Sequence, residues 1–217
     1  LDGPRRCLAS RAGAGAAVIP PFHGQWESAG RIADILSGAL RAADDPLWPR
    51  SGAAGAADYE TWADHLCGVA CLRMALAARG ITPPRAFDLA RELTARGGYV
   101  VQPGGAIRGL IYAPAAAWLR EVPRLPAEVR VDVPAEAIPA MLRDGGMFIA
   151  SVHPSIRRAG AEPPSRGGHL VLVFGAEGGA LRFHNPSGDT VASQCDARLP
   201  VAEFARFYAG RGIAVGV

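Results

Sequence analysis

Leu66-Cys67-Gly68-Val69-Ala70-Cys71-Leu72-Arg73-Met74-Ala75-Leu76-Ala77-Ala78 is a run of good helix formers, apolar nearly all round. A helix without a polar face belongs in a core, so residues 66–78 are predicted to be central and buried. Asp64 stands before it as a candidate N-cap, and Gly80 ends it. A second helix is predicted over 86–96, with Phe87, Leu89, Ala90 and Leu93 on one face and Gly97-Gly98 as its stop. Upstream, Ser28 can cap an amphipathic helix carrying Ile32, Ile35, Leu36 and Leu40. Residues 43–58 contain Asp44, Asp45, Pro46, Pro49 and several glycines, and read as a loop.

Beyond Val133 the texture changes. A helix near 135–143 is followed by 147–152, 169–174, 181–184 and 213–217, short apolar or β-branched runs separated by Gly and Pro. A helical half followed by a strand half predicts an α+β fold, with the buried helix packed on a C-terminal antiparallel sheet and a site where the layers meet. At 217 residues the chain fits one domain. Residues 1–17 read as a loose arm, 18–217 as the domain, and 27–66 as an insertion carrying Trp48 and Trp62, with Trp26 at its edge. Core packing is the first expectation for these tryptophans, and a roof over the site the second.

Every basic residue is Arg, and the absence of Lys excludes Schiff-base chemistry, pyridoxal phosphate enzymes and the Lys of phosphate-binding loops. A net charge of +3, not gathered into a block, argues against nucleic acid as a partner. No apolar run reaches the ~18 residues of a membrane span. Cys7, Cys67, Cys71 and Cys195 are too few for a disulfide scaffold and not spaced as zinc pairs, so a reduced, cytoplasmic protein without metal or organic cofactor is expected. The first residue is Leu rather than Met, which leaves room for a removed export signal.

A thiol at a helix start is favoured as thiolate by free N–H groups and the aligned dipole, and Cys67 falls there, with Gly68 allowing close approach of other backbone. Core burial is the competing reading, and it suits Cys71 better. Gly167-Gly168-His169 opens a strand that turns near Glu177-Gly178 into a second strand ending at Asn185-Pro186. Antiparallel pairing then sets His169 opposite residues 185–188, which brings Asn185 beside the imidazole, with Asp189 as a second candidate orienter. His23, His65, His153 and His184 lack this combination of glycine approach and orienter.

These residues resemble the papain-like cysteine peptidases, in the branch of the double-glycine leader peptidases of bacteriocin exporters and their stand-alone bacterial relatives. The cysteine motif is similar to Cys67-Gly68-Val69-Ala70-Cys71-Leu72-Arg73-Met74-Ala75-Leu76, and the histidine motif to Gly168-His169-Leu170-Val171-Leu172-Val173. Asn185-Pro186 stands where the family usually has Asp before Pro. The resemblance implies Cys67 as nucleophile, His169 as base, Asn185 as orienter, and a Gln upstream of the Cys that helps hold the oxyanion. Gln25 matches that role after Ile19-Pro20-Pro21-Phe22-His23-Gly24, although some forty residues from Cys67, farther than the family usually has it; Thr61 lies closer but has no amide to donate.

The function implied is cysteine-dependent acyl transfer that cleaves a peptide or amide bond through a thioester. Alternatives are an amide-forming acyltransferase on the same triad with a carrier-bound donor, an inactive papain-like module that binds a peptide or carrier protein, and a redox or metal protein using Cys67 and Cys71. Specificity is expected to lie in 27–66 and in the loops 97–113 and 154–166.

Overall fold

The computed structural model describes residues 19–160 and 162–216. The predicted arm, 1–17, and Cys7 lie outside them. In chain order the elements are α1 (Ile32–Ser37), α2 (Ala56–Ala63), α3 (Cys67–Ala78), α4 (Ala86–Ala95), β1 (Val100–Val101), β2 (Ile107–Arg108), α5 (Tyr112–Glu121), β3 (Ala127–Arg130), α6 (Ile138–Met141), β4 (Met147–Val152), β5 (His169–Glu177), β6 (Ala180–His184), α7 (Val191–Gln194), β7 (Ala197–Pro200), α8 (Val201–Phe207) and β8 (Tyr208–Val215). The fold is α+β, helical in its first half. Its six-stranded sheet has the order β3-β8-β4-β5-β6-β7, antiparallel throughout.

The sheet is covered on both sides, which explains why β4 reads as an apolar run broken only by Ser151: all six of its residues are buried. Met147, Ile149, Leu170, Leu172, Phe174, Ile213 and Val215 face α3, α4 and α5. Phe148, Ala150, Val152, Val171, Val173 and Ala214 face the other way, onto Ile138 of α6 and Phe204 and Phe207 of α8. Of that second layer, α6 falls within the helix expected near 135–143, whereas α8, together with α5 and the edge strands β3 and β7, was not anticipated from sequence. Each is short or interrupted by proline, and its apolar face shows only against the sheet.

Four expectations are corrected. Asp64 does not cap α3; it ends α2, and α3 begins at Cys67 after Leu66, with no side-chain cap. The Tyr99 hydroxyl lies there instead, donating to the His65 carbonyl at 3.3 Å. The helix expected after Ser28 is a 3-10 turn (Ala29–Arg31) and the short α1, closed by Gly38 in the left-handed conformation. Ser28 contributes its N–H to Asp45 rather than a side-chain cap. The expected loop 43–58 contains the 3-10 turn Trp48–Ser51 and the start of α2, anchored by the buried Asp45, which also accepts from the Tyr59 hydroxyl at 2.9 Å. Cys67 and Cys71 are free thiols, whereas Cys195 is disulfide-bonded, a departure from the wholly reduced chain expected.

The β5–β6 hairpin turns at Gly178-Gly179, one residue later than expected, with both glycines at positive φ as a two-residue hairpin requires. A bulge between Val173 and Gly175 then shifts the register by one, so that Leu172 pairs with His184. Continued past the end of β6, that register sets Ser187, rather than Asn185, across from His169.

Candidate active site

Helix α3 crosses β5 so closely that a Cβ on Gly68 would come within 2.6 Å of Leu110 Cδ2 and 3.1 Å of Leu170 Cδ1. This approach brings the first residue of the helix to the first residues of the strand. The backbone N–H dipoles of Leu170, Gly68 and Cys67 itself act on the Cys67 sulfur to favour its ionisation, while burial outweighs them and pushes the thiol up to about 11. Cys71 is fully buried in the core. Gly68→Ala is expected to lower stability by roughly 1–3 kcal/mol and to slow alkylation of Cys67, because the added methyl levers α3 away from β5. Thermal denaturation and thiol labelling of the same sample check both, and an unchanged labelling rate would show that the close approach does not position the sulfur.

His169 is buried at the start of β5, where its Nε2 donates to Asn185 Oδ1 at 2.8 Å. The carboxamide is itself held: Asn185 Oδ1 accepts from the Ser187 N–H at 3.1 Å, and the Asn185 backbone N–H donates to Gln194. Ser187 Oγ lies 3.1 Å from the same imidazole nitrogen and accepts from Arg157 Nη2 at 2.9 Å. With Nε2 engaged, Nδ1 is the nitrogen left for chemistry. Burial pushes the imidazole down to about 4 against the opposing pull of the Asn185 hydrogen bond, and the Arg157 charge lowers it further. At neutral pH the two groups therefore rest as thiol and neutral imidazole.

Cys67, His169 and Gln25 line one cavity of about 490 Å³, together with Trp26, Arg157 and Ser187. Gln25 arrives there through the far end of the hairpin, since its N–H donates to the Pro186 carbonyl at 2.8 Å. Its side-chain amide has no hydrogen-bond partner among the described residues. The opposite wall comes from residues between Ile35 and Ala42 with Glu60 and Asp64, so part of 27–66 does border the site. Trp26 is buried between core and cavity, while Trp48 and Trp62 pack on the core.

Asp189 is not brought to His169. It pairs with Arg158 at 3.0 Å and accepts from Ser193 Oγ. Thr61 bonds the Ala57 carbonyl of its own helix and does not line the cavity. His184 is a core residue, with one nitrogen 2.8 Å from the Pro20 carbonyl and the other accepting from the Asp196 N–H. Among the described residues no group of three His, Cys, Asp or Glu could hold a metal ion, and no helix is long and apolar enough to cross a membrane. Sequence reasoning did not single out Ser187 or Arg157. The hairpin arithmetic spanned Ser187 without distinguishing it, and nothing local marks Arg157 among its neighbours.

A buried helix that presents a thiol at its N-terminus to a His-bearing strand of an antiparallel sheet defines the papain-like class of fold. No protein-family model and no curated protein matches the sequence. Among solved structures the fold is similar to that of a Bacillus anthracis protein described as a C39-like peptidase, with a TM-score of 0.53, 15% identity, and coverage of 70% of this chain and 88% of that one. The peptidase domain of Streptococcus ComA, a bi-functional ABC transporter involved in a quorum sensing pathway, aligns with a TM-score of 0.46 and 16% identity over 70% of this chain and 91% of that one. The chain thus has the papain-like fold in the form that C39-like peptidases take.

Proposed function

We propose that the chain is a cysteine peptidase-type enzyme that cleaves a peptide or amide bond through a thioester on Cys67. The observation that carries this reading is the His169–Asn185 hydrogen bond of 2.8 Å beside a cavity that Cys67 and Gln25 also line. Asn185 holds the proton on Nε2, so Nδ1 is basic and available to the thiol. As the sulfur attacks the substrate carbonyl, its proton passes to Nδ1, which avoids a free thiolate in a site that disfavours one. The oxyanion is received by the Cys67 N–H, unpaired within its helix, and by the Gln25 amide. Nδ1–H then protonates the leaving amine, the C–N bond breaks, and water activated by the neutral imidazole releases the acid from the thioester.

Support comes from the fold, from the neutral resting state of the pair, and from a Gln25 side chain with no hydrogen-bond partner among the described residues. Iodoacetamide is expected to modify Cys67 in preference to Cys71, and His169→Ala to slow that reaction by about tenfold or more. Peptide mapping of labelled protein reads the result. Equal inertness of the two thiols would overturn the proposal.

A further inference from the structure

Arg157 lies on a 3-10 turn, Pro154–Arg158, that leaves β4 just after Val152, the residue paired with His169. Its guanidinium is half-buried, lines the same cavity as Cys67 and makes no ion pair among the described residues. Nε is buried without a hydrogen-bond partner, and Nη2 donates to Ser187 Oγ, which in turn touches His169. The nearby acid, Asp189, is already held by Arg158. Burial lowers the guanidinium's affinity for its proton by more than the Asp189 charge restores, and Arg158 lowers it further.

A desolvated charge without a partner is costly, and it persists where a ligand supplies the partner. The planar fork of Arg suits a carboxylate in particular, through two parallel N–H donors. Its attachment to His169 through Ser187 sets it at a short, defined remove from the place of bond cleavage. We infer that Arg157 is the anchor for a carboxylate of the substrate, either the C-terminal carboxylate of a peptide or an acidic side chain next to the scissile bond. The inference rests on the acyl-transfer reading of Cys67 and adds to it the substrate's charge.

Two alkylating agents of like size separate the two claims, since iodoacetate carries the carboxylate and iodoacetamide does not. Because Arg157 also acts on His169, the reading is the ratio of the two rates on the same variant: Arg157→Gln is expected to slow modification of Cys67 by iodoacetate about tenfold or more beyond any change in the iodoacetamide rate. Equal loss with both reagents, or no change with either, overturns the anchor and leaves the nucleophile standing. Inertness of Cys67 to iodoacetamide in the unaltered protein overturns the enzyme reading and the anchor with it. Should Arg157→Gln fail to fold, the unaltered protein still decides: acetate should slow the iodoacetate reaction more than chloride at equal ionic strength, and equal effects overturn the proposal. Short N-acetylated peptides distinguish the sources. Protection by a free C-terminus and not by its amide assigns the terminal carboxylate, protection by a C-amidated glutamate peptide assigns the side chain, and protection by neither overturns the assignment.

Discussion

Cys67→Ala and His169→Ala are each expected to reduce turnover of any amide substrate by roughly 10⁴-fold or more, with the fold intact. The magnitude follows from how the pair rests. Burial holds the sulfur as a thiol and the imidazole neutral, so neither group is reactive without the other to exchange the proton. Removing either should cost about as much as removing both, and the double variant should lie close to the singles rather than at their product. Asn185→Ala should cost less, because Ser187 Oγ also reaches Nε2 and can hold part of the population in the right tautomer. The Cys67 and His169 substitutions fill no new space, so circular dichroism and thermal denaturation should stay near those of the unaltered chain. Retained turnover in either would refute the assignment of nucleophile and base.

Acid should unfold this protein well above the pH at which its carboxylates protonate. Burial lowers His169 and His184 to about 4 and His23 to about 3, against 6.5 for an unhindered imidazole. Between those values the unfolded chain binds protons that the folded chain refuses. The stabilisation is therefore complete above pH 6.5 and is lost as the pH falls toward the folded-state values. His169 and His184 together amount to roughly 6 kcal/mol by pH 4, comparable with the whole stability of a typical domain. The geometry gives the same sign: His184 accepts the Asp196 N–H on one nitrogen, and a proton there removes the acceptor. Urea denaturation at pH 7.5, 6, 5 and 4 measures the slope. His184→Gln should flatten it by about a third, and a pH-independent midpoint would show that these imidazoles are not held neutral.

Legibility in the sequence followed the range of the interactions involved. Helices α3 and α4, strand β4 and the β5–β6 hairpin were readable because propensity, periodicity and Gly-Gly turns act over a few residues. Strand pairing is the same kind of local arithmetic, and it was enough to bring Asn185 to His169. The later turn alone would set His169 opposite residue 188, and the bulge at Phe174, which has no sequence mark of its own, brings it back to Ser187, within the expected 185–188. Helices α5 and α8 were missed for the converse reason, since their apolar faces make sense only against a sheet assembled from distant strands.

By itself, then, the sequence determined the α+β class, the helix that carries Cys67, and the hairpin that joins His169 to Asn185, since each depends on residues near one another in the chain. Tertiary structure alone decided the rest. It brought Gln25 across 160 residues to the Pro186 carbonyl, set the Tyr99 hydroxyl rather than Asp64 at the start of α3, and left Arg157 without an ion pair among the described residues beside the imidazole. Those placements arise from how layers pack and which charges they enclose, and packing depends on surfaces that exist only once the chain has folded.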